Sequence, residues 1–211
     1  MKNLKVCSKA SISSAIRSKV MGFKAGHLFR CDDLKIAGSR ATILRCLSKM
    51  IKQGELRRAY RGIYYKPRMS TILKGRELPP DIYGTLRIIT RATNEKIFVH
   101  GGFAANKLGL SKHIPMQLGY YTNRKSRQIS IGKVKVRLVH TDLKALFDTT
   151  QPAIAMAIAA LIFLGEELVD ERVIERIKLN LTTEEFQNLQ KLALKDWMLL
   201  ALNKNTVLPK Q

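Results

Sequence analysis

The chain has 211 residues, 45% hydrophobic and 26% charged, a composition that excludes wholesale disorder. The length suits one compact domain or two small ones and excludes a large multidomain enzyme. Its 38 Lys and Arg outnumber 16 Asp and Glu, giving a net charge of +22 and a pI near 10.2. The excess is uneven: residues 1–75 hold 18 basic and 3 acidic side chains, 76–150 hold 13 and 5, and 151–211 hold 7 and 8. A basic half joined to a near-neutral tail implies a division of labour. Nucleic acid is the expected partner of the basic half, with an anionic membrane surface as the weaker rival.

The cysteines, Cys7, Cys31 and Cys46, form no C-x-x-C pair, and His27, His100, His113 and His140 lack metal-ligand spacing. Neither a disulfide framework nor a metal or other cofactor is expected. The N-terminal stretch has basic residues but no apolar core, so it does not read as a secretory signal. The longest apolar run, residues 153–164, has 12 residues, short of the roughly 20 that a membrane span needs. The expectation is a cytoplasmic protein without a membrane partner.

In chain order, Ser11 or Ser13 is expected to cap a first helix through Ile12, Ile16 and Val20, stopped by Gly22. Asp32 or Asp33 caps a brief second helix that ends at Gly38. Ser39 caps a third, running to Gln53 with Gly54 as its stop. A helical wheel puts Leu44, Leu47 and Ile51 on its buried stripe, flanked by Ala41 and Ser48, with Thr42, Arg45, Cys46, Lys49 and Gln53 opposite. Two short β-rich runs then meet at Arg61-Gly62. Three helices followed by a basic hairpin give the winged helix-turn-helix layout.

A proline-bearing linker is expected at 71–80. Beyond it come a helix opened by Asp81, a strand at 96–100, a small helix at 103–108 and strands at 118–122, 127–131 and 134–139. Gly132-Lys133 marks a tight hairpin between the last two strands. The tail reads as helices at 143–149, 153–164 and 170–178, then one opened by the Thr182–Glu185 capping box. The fold class expected is α+β: an N-terminal winged helix at 1–70 followed by a mixed α/β domain with a helical C-terminal tail at 81–211.

A helix enters the major groove when its exposed face carries short polar or basic side chains that reach base edges. Ser39, Arg40, Thr42, Arg45, Cys46 and Lys49 fit that role, and Arg57, Arg58 and Arg61 are placed to hold phosphates or enter the minor groove. The bland alternative is a solvated basic face. Signals for catalysis are poor: Gly38-Ser39 is not followed by paired carboxylates, and His100-Gly101-Gly102 has no G-x-S-x-G elbow to accompany it. Asp142, Asp148 and His140 are the residues a nucleic-acid-modifying enzyme would have to use. No catalytic residue is expected.

Residues Gly38-Ser39-Arg40-Ala41, then Cys46 through Arg58, then Arg61-Gly62-Ile63-Tyr64 resemble the N-terminal winged helix of AbiEi-type antitoxins of bacterial type IV toxin–antitoxin (abortive infection) systems. A second block runs from Gly102 through Ser111, with Pro115, Tyr121-Thr122, Ser126-Arg127 and Ile131-Gly132. It is similar to the antitoxin domain that follows in one branch of that family. Together the two blocks cover roughly residues 11–140. The resemblance implies a non-enzymatic protein that binds its own promoter DNA, represses its operon and counteracts a cognate nucleotidyltransferase toxin. The competing expectation is a winged-helix regulator whose second domain senses a ligand or partner.

Overall fold

The computed structural model describes residues 9–73, 75–112 and 116–204, so Cys7, His113 and Pro115 lie outside the described residues. The chain is α+β and divides into two compact units. The first comprises residues 1–89 with 130–134; the second comprises 90–129 with 135–211.

The first unit opens with α1 (Lys9–Met21), β1 (Leu28–Arg30) and a single 3-10 turn (Cys31–Leu34). Then come α2 (Arg40–Lys52), β2 (Arg57–Tyr60) and β3 (Ile63–Tyr65). The α1 helix begins before Ser11 and Ser13, so neither serine is its cap. The expected second helix is only the 3-10 turn, and β1 ahead of it was not anticipated. The sheet order is β1-β3-β2, with both pairings antiparallel. Gly62 (φ +76°) makes the β2–β3 turn in a conformation that side-chain-bearing residues rarely adopt.

Ile16 and Val20 of α1 pack with Phe29, Leu34, Ile43, Leu47, Met50, Leu56 and Tyr64 into one core. On the other side of the sheet, Ala59, Ile63 and Tyr65 are covered by Leu28, Tyr60, Ile88 and Ile89. The stretch expected as a linker closes on itself. Met69 bridges Glu77, and Ser70 and Leu78 donate N–H bonds to the Arg76 and Arg68 carbonyls, each at 2.8 Å.

Helix α3 (Ile82–Thr93) is opened by Asp81, whose Oδ1 accepts from the Gly84 N–H at 3.0 Å. Beyond α3 come β4 (Ile97–Val99), α4 (Gly101–Lys107), β5 (Leu118–Thr122), β6 (Arg127–Ile131) and β7 (Val134–His140), all in the second unit except residues 130–134 around the β6–β7 turn. The sheet order is β4-β5-β7-β6, with β4 antiparallel and β7 parallel to β5. After it come α5 (Ala145–Asp148), α6 (Pro152–Leu164), α7 (Glu171–Leu179), α8 (Thr183–Gln190) and α9 (Asp196–Lys204).

The α6 helix is apolar on every side and supplies the middle of this core, with Ile154, Ala157, Ile158, Ala160 and Leu161 all essentially inaccessible. Its alanines let α4 approach closely: a Cβ on Gly101 would lie 2.2 Å from the Ala159 carbonyl oxygen. Asp170 caps α7, and Thr182 with Glu185 forms the expected capping box of α8. Among the described residues, no helix is long and apolar enough to cross a membrane.

Candidate nucleic-acid interface

The α2 helix is held by caps at both ends. Ser39 Oγ accepts the Thr42 N–H at 3.2 Å, and Lys49 and Lys52 sit in the last turn, where cations oppose the helix dipole favourably. The buried positions are Ile43, Leu47 and Met50, spaced i, i+4, i+7. This corrects the helical wheel: Leu44 and Ile51 are only half-buried, and Ala41 and Ser48 are exposed. The face turned to solvent therefore carries Ala41, Arg45, Ser48, Lys49 and Lys52. Thr42 and Cys46 lie at its edge, half-buried. The Thr42 hydroxyl sits 2.9 Å from Ser39 Oγ, and Cys46 Sγ sits 3.1 Å from Ser13 Oγ on α1.

The proposed cations divide into two groups. Arg40 reaches back to Asp32 at 3.1 Å. Arg57 bonds Glu77 and the Gly54 and Leu56 carbonyls, which ties the start of β2 to the end of α2. Arg45, Lys49, Arg58 and Arg61 are exposed and make no hydrogen bond or ion pair among the described residues. Arg61 stands at the β2–β3 turn. Sequence reasoning missed Lys52 and Ser48 because it set the exposed stripe about one residue away from its true position. The tether from Arg57 to Glu77 spans 20 residues and has no local signal in the sequence.

Local acids do little to offset the excess. Asp32 faces Arg30 and Arg40, Asp33 accepts the Arg30 backbone N–H, and Glu55 pairs with Arg17. These are the only three acids among residues 1–75. The remaining cations thus keep their field, which acts within about 8–10 Å of the surface at physiological salt.

In the second unit, Asp148 pairs with Lys96 at 2.5 Å, and His140 Nδ1 lies 3.0 Å from the Arg124 carbonyl. No hydrogen bond or ion pair joins Asp142, Asp148 and His140 among the described residues. No cluster of three metal-ligating side chains exists among the described residues. The His100-Gly101-Gly102 motif is a helix start: His100 Nδ1 accepts the Gly102 N–H at 3.2 Å, and the imidazole stacks on Tyr121 with ring centroids 4.8 Å apart. Burial pushes the Tyr121 hydroxyl up to about 12, against a hydrogen bond with the Gly101 backbone. Burial, with the nearby Arg137 charge, holds His100 below the ordinary imidazole value.

Among the described residues, the ion pair with the most buried carboxylate is also here. Glu95 is bonded twice by Arg127, at 2.8 and 2.6 Å, and by Thr122 Oγ1 at 2.5 Å. Burial alone would raise the Glu95 carboxyl. The hydrogen bonds from Arg127 and Thr122 and the charges of Arg127 and Arg124 outweigh it and leave the group below its usual value.

Residues 15–189 match a family described as a family of unknown function (DUF6088), and the chain belongs to that family. No curated protein and no solved structure matches the chain significantly.

Proposed function

We propose that this protein is a DNA-binding antitoxin of the AbiEi type. Its first unit, read as a winged helix, would hold promoter DNA of its own operon, and its second unit would counteract a cognate nucleotidyltransferase toxin. The observation that carries the DNA part is the order helix, strand, short helical turn, helix, hairpin, with sheet order β1-β3-β2. That order suits a winged helix-turn-helix with α2 as its recognition helix. The uncompensated cations Arg45 and Lys49 on α2, Arg58 on β2 and Arg61 at the turn support the same reading. In this reading the helix meets base edges, and the hairpin meets phosphate. Antagonism of a toxin rests on the resemblance of residues 102–132.

Fluorescence anisotropy with a duplex from the region upstream of this gene tests the DNA part, against a scrambled duplex at the same salt. The reading requires tighter binding to the upstream duplex; equal affinity for both would overturn autorepression. Co-expression with a nucleotidyltransferase encoded beside this gene tests the second part, which fails if no such gene is adjacent or if growth is not rescued.

A further inference from the structure

A cleft of about 360 Å³ opens on the second unit, lined by His100, Gly102, Ser111, Met116, Gln117, Gly119, Arg137 and Phe163. Its floor follows from strand register. Gly119 on β5 pairs with Arg137 on β7, and its carbonyl accepts the His100 N–H at 3.1 Å. His100 just past the end of β4, Gly119 on β5 and Arg137 on β7 thus form one row, and the middle position has no side chain. Two strand spacings of about 4.8 Å separate the flanking backbones by roughly 10 Å, room for one small polar group between the two side chains.

The row is built rather than incidental. A Cβ on Gly119 would come within 3.0 Å of His100 Cβ and 3.2 Å of its Cγ, so the imidazole leans over the glycine. Tyr121 stacks on one side of the ring, and Phe163 meets it edge-on at 5.6 Å. Because Nδ1 accepts the Gly102 N–H, the neutral ring carries its proton on Nε2, which has no partner among the described residues. Arg137 is exposed and makes no ion pair among them. No carboxylate lines the cleft, whereas Phe163 and Met116 add apolar surface at its rim, both exposed.

We infer that this cleft binds a small molecule carrying one carboxylate or phosphate beside a planar apolar body. The anion sits between the Arg137 guanidinium and His100 Nε2–H, and the apolar body lies against Phe163 and Met116. The guanidinium fork matches both oxyanions, and the imidazole supplies a second, fixed donor. This site is separate from the DNA reading and stands or falls without it.

The experiment titrates the full chain with phenyl phosphate and, separately, benzoate at about 0.15 M salt, where diffuse attraction to the basic surface is screened. The readout is ¹H–¹⁵N NMR of the Arg137 side chain, the His100 ring and the Gly119 amide. Saturable shifts at all three are expected with at least one probe, and the stronger probe identifies the oxyanion. Arg137→Gln should weaken binding about 10- to 100-fold, as loss of a charged hydrogen-bond partner does. Lys135→Gln removes the same charge two residues away and should change affinity less than about twofold, since an exposed charge outside the site contributes little. His100→Asn keeps an acceptor for the Gly102 N–H while removing the Nε2 donor, and should also weaken binding. Should that variant not fold, by near-ultraviolet circular dichroism, the Arg137 and Lys135 pair decides alone. Equal losses in those two variants, or no saturation with either probe by about 10 mM, would overturn the site.

Discussion

The two units solve opposite electrostatic problems. In the first, the three acids among residues 1–75 are spent on Arg30, Arg40 and Arg17, Glu77 holds Arg57, and Arg45, Lys49, Arg58 and Arg61 are left exposed around α2 and the β2–β3 turn. In the second, the charged group buried deepest, Glu95, is matched by Arg127 and Thr122 inside the fold. One unit leaves a cluster of cations for the outside, and the other matches its most buried charge within. A given net charge therefore says little until each acid has been assigned to its partner. The sharpest way to separate the units is to change salt for the first and pH for the second.

The largest effect expected is that of salt on DNA binding. If six to ten phosphates are neutralised, affinity should fall on the order of 10³–10⁵-fold between about 50 and 200 mM salt. Anisotropy titrations that stay flat over that range would remove the electrostatic account of the first unit. Thermal or denaturant unfolding of the second unit should show no comparable sensitivity.

Next in size is the core of the first unit. Leu47 is fully inaccessible, and Leu47→Ala should cost about 2–5 kcal/mol through the cavity it leaves. Leu44→Ala should cost distinctly less, because Leu44 is only half-buried. Urea midpoints of the two variants check the position of the stripe: equal losses would restore the sequence-based wheel.

The third concerns pH. The Glu95 carboxyl is held below its unfolded value, so the folded state binds fewer protons there. Its stabilising contribution is fully present above the unfolded carboxylate range, near pH 4.5, and is lost as pH falls through the folded value. Glu95→Gln should cost roughly 2–3 kcal/mol at pH 7. That lies below the figure for a fully buried pair because Arg127 is a third exposed. The gap between wild type and variant should narrow progressively as pH falls below about 4.5, and a gap that did not change with pH would assign the loss to packing.

The smallest effects divide the interface itself. Arg45→Ala on α2 should narrow the preference for upstream over scrambled duplex by about 1–3 kcal/mol if a base contact is lost. Arg61→Ala at the β2–β3 turn should weaken both duplexes alike and flatten the salt slope by about one unit. If Arg61→Ala removes the preference and Arg45→Ala does not, the roles of helix and hairpin are reversed.

The elements with their own punctuation were legible in the sequence. Ser39, Asp170 and the Thr182–Glu185 box each place a helix start where the structure has one, because a side-chain cap is a contact within three residues. Gly132-Lys133 likewise places the β6–β7 turn. What failed depends on neighbours far along the chain. The apolar residues of α2 span a broad arc, and the neighbours it packs against, from α1 to Tyr64, decide that Ile43 and Met50 go inward ahead of Leu44 and Ile51. The three-residue strand β1 exists through its pairing with β3 more than 30 residues later. At the candidate interface the residue types were legible, but which cations are tethered was not. Arg40 and Arg57 look the same in sequence as Arg45 and Arg58 until Asp32 and Glu77 arrive beside them.

The close approach of α4 and α6 also bears on the order of folding. Gly101 meets the backbone of Ala159, 58 positions further along, so the second core cannot close until most of its chain has been joined. Among the described residues, the core cluster that joins α1, α2 and one face of the hairpin draws on residues 12–64. On a chain emerging amino-terminus first, the basic unit is expected to acquire its core during synthesis. The second unit must first gather partners of high sequence separation, the slower kind of assembly. A nascent chain stalled near residue 140 should therefore already protect the α2 amides from hydrogen exchange while those of α4 still exchange freely.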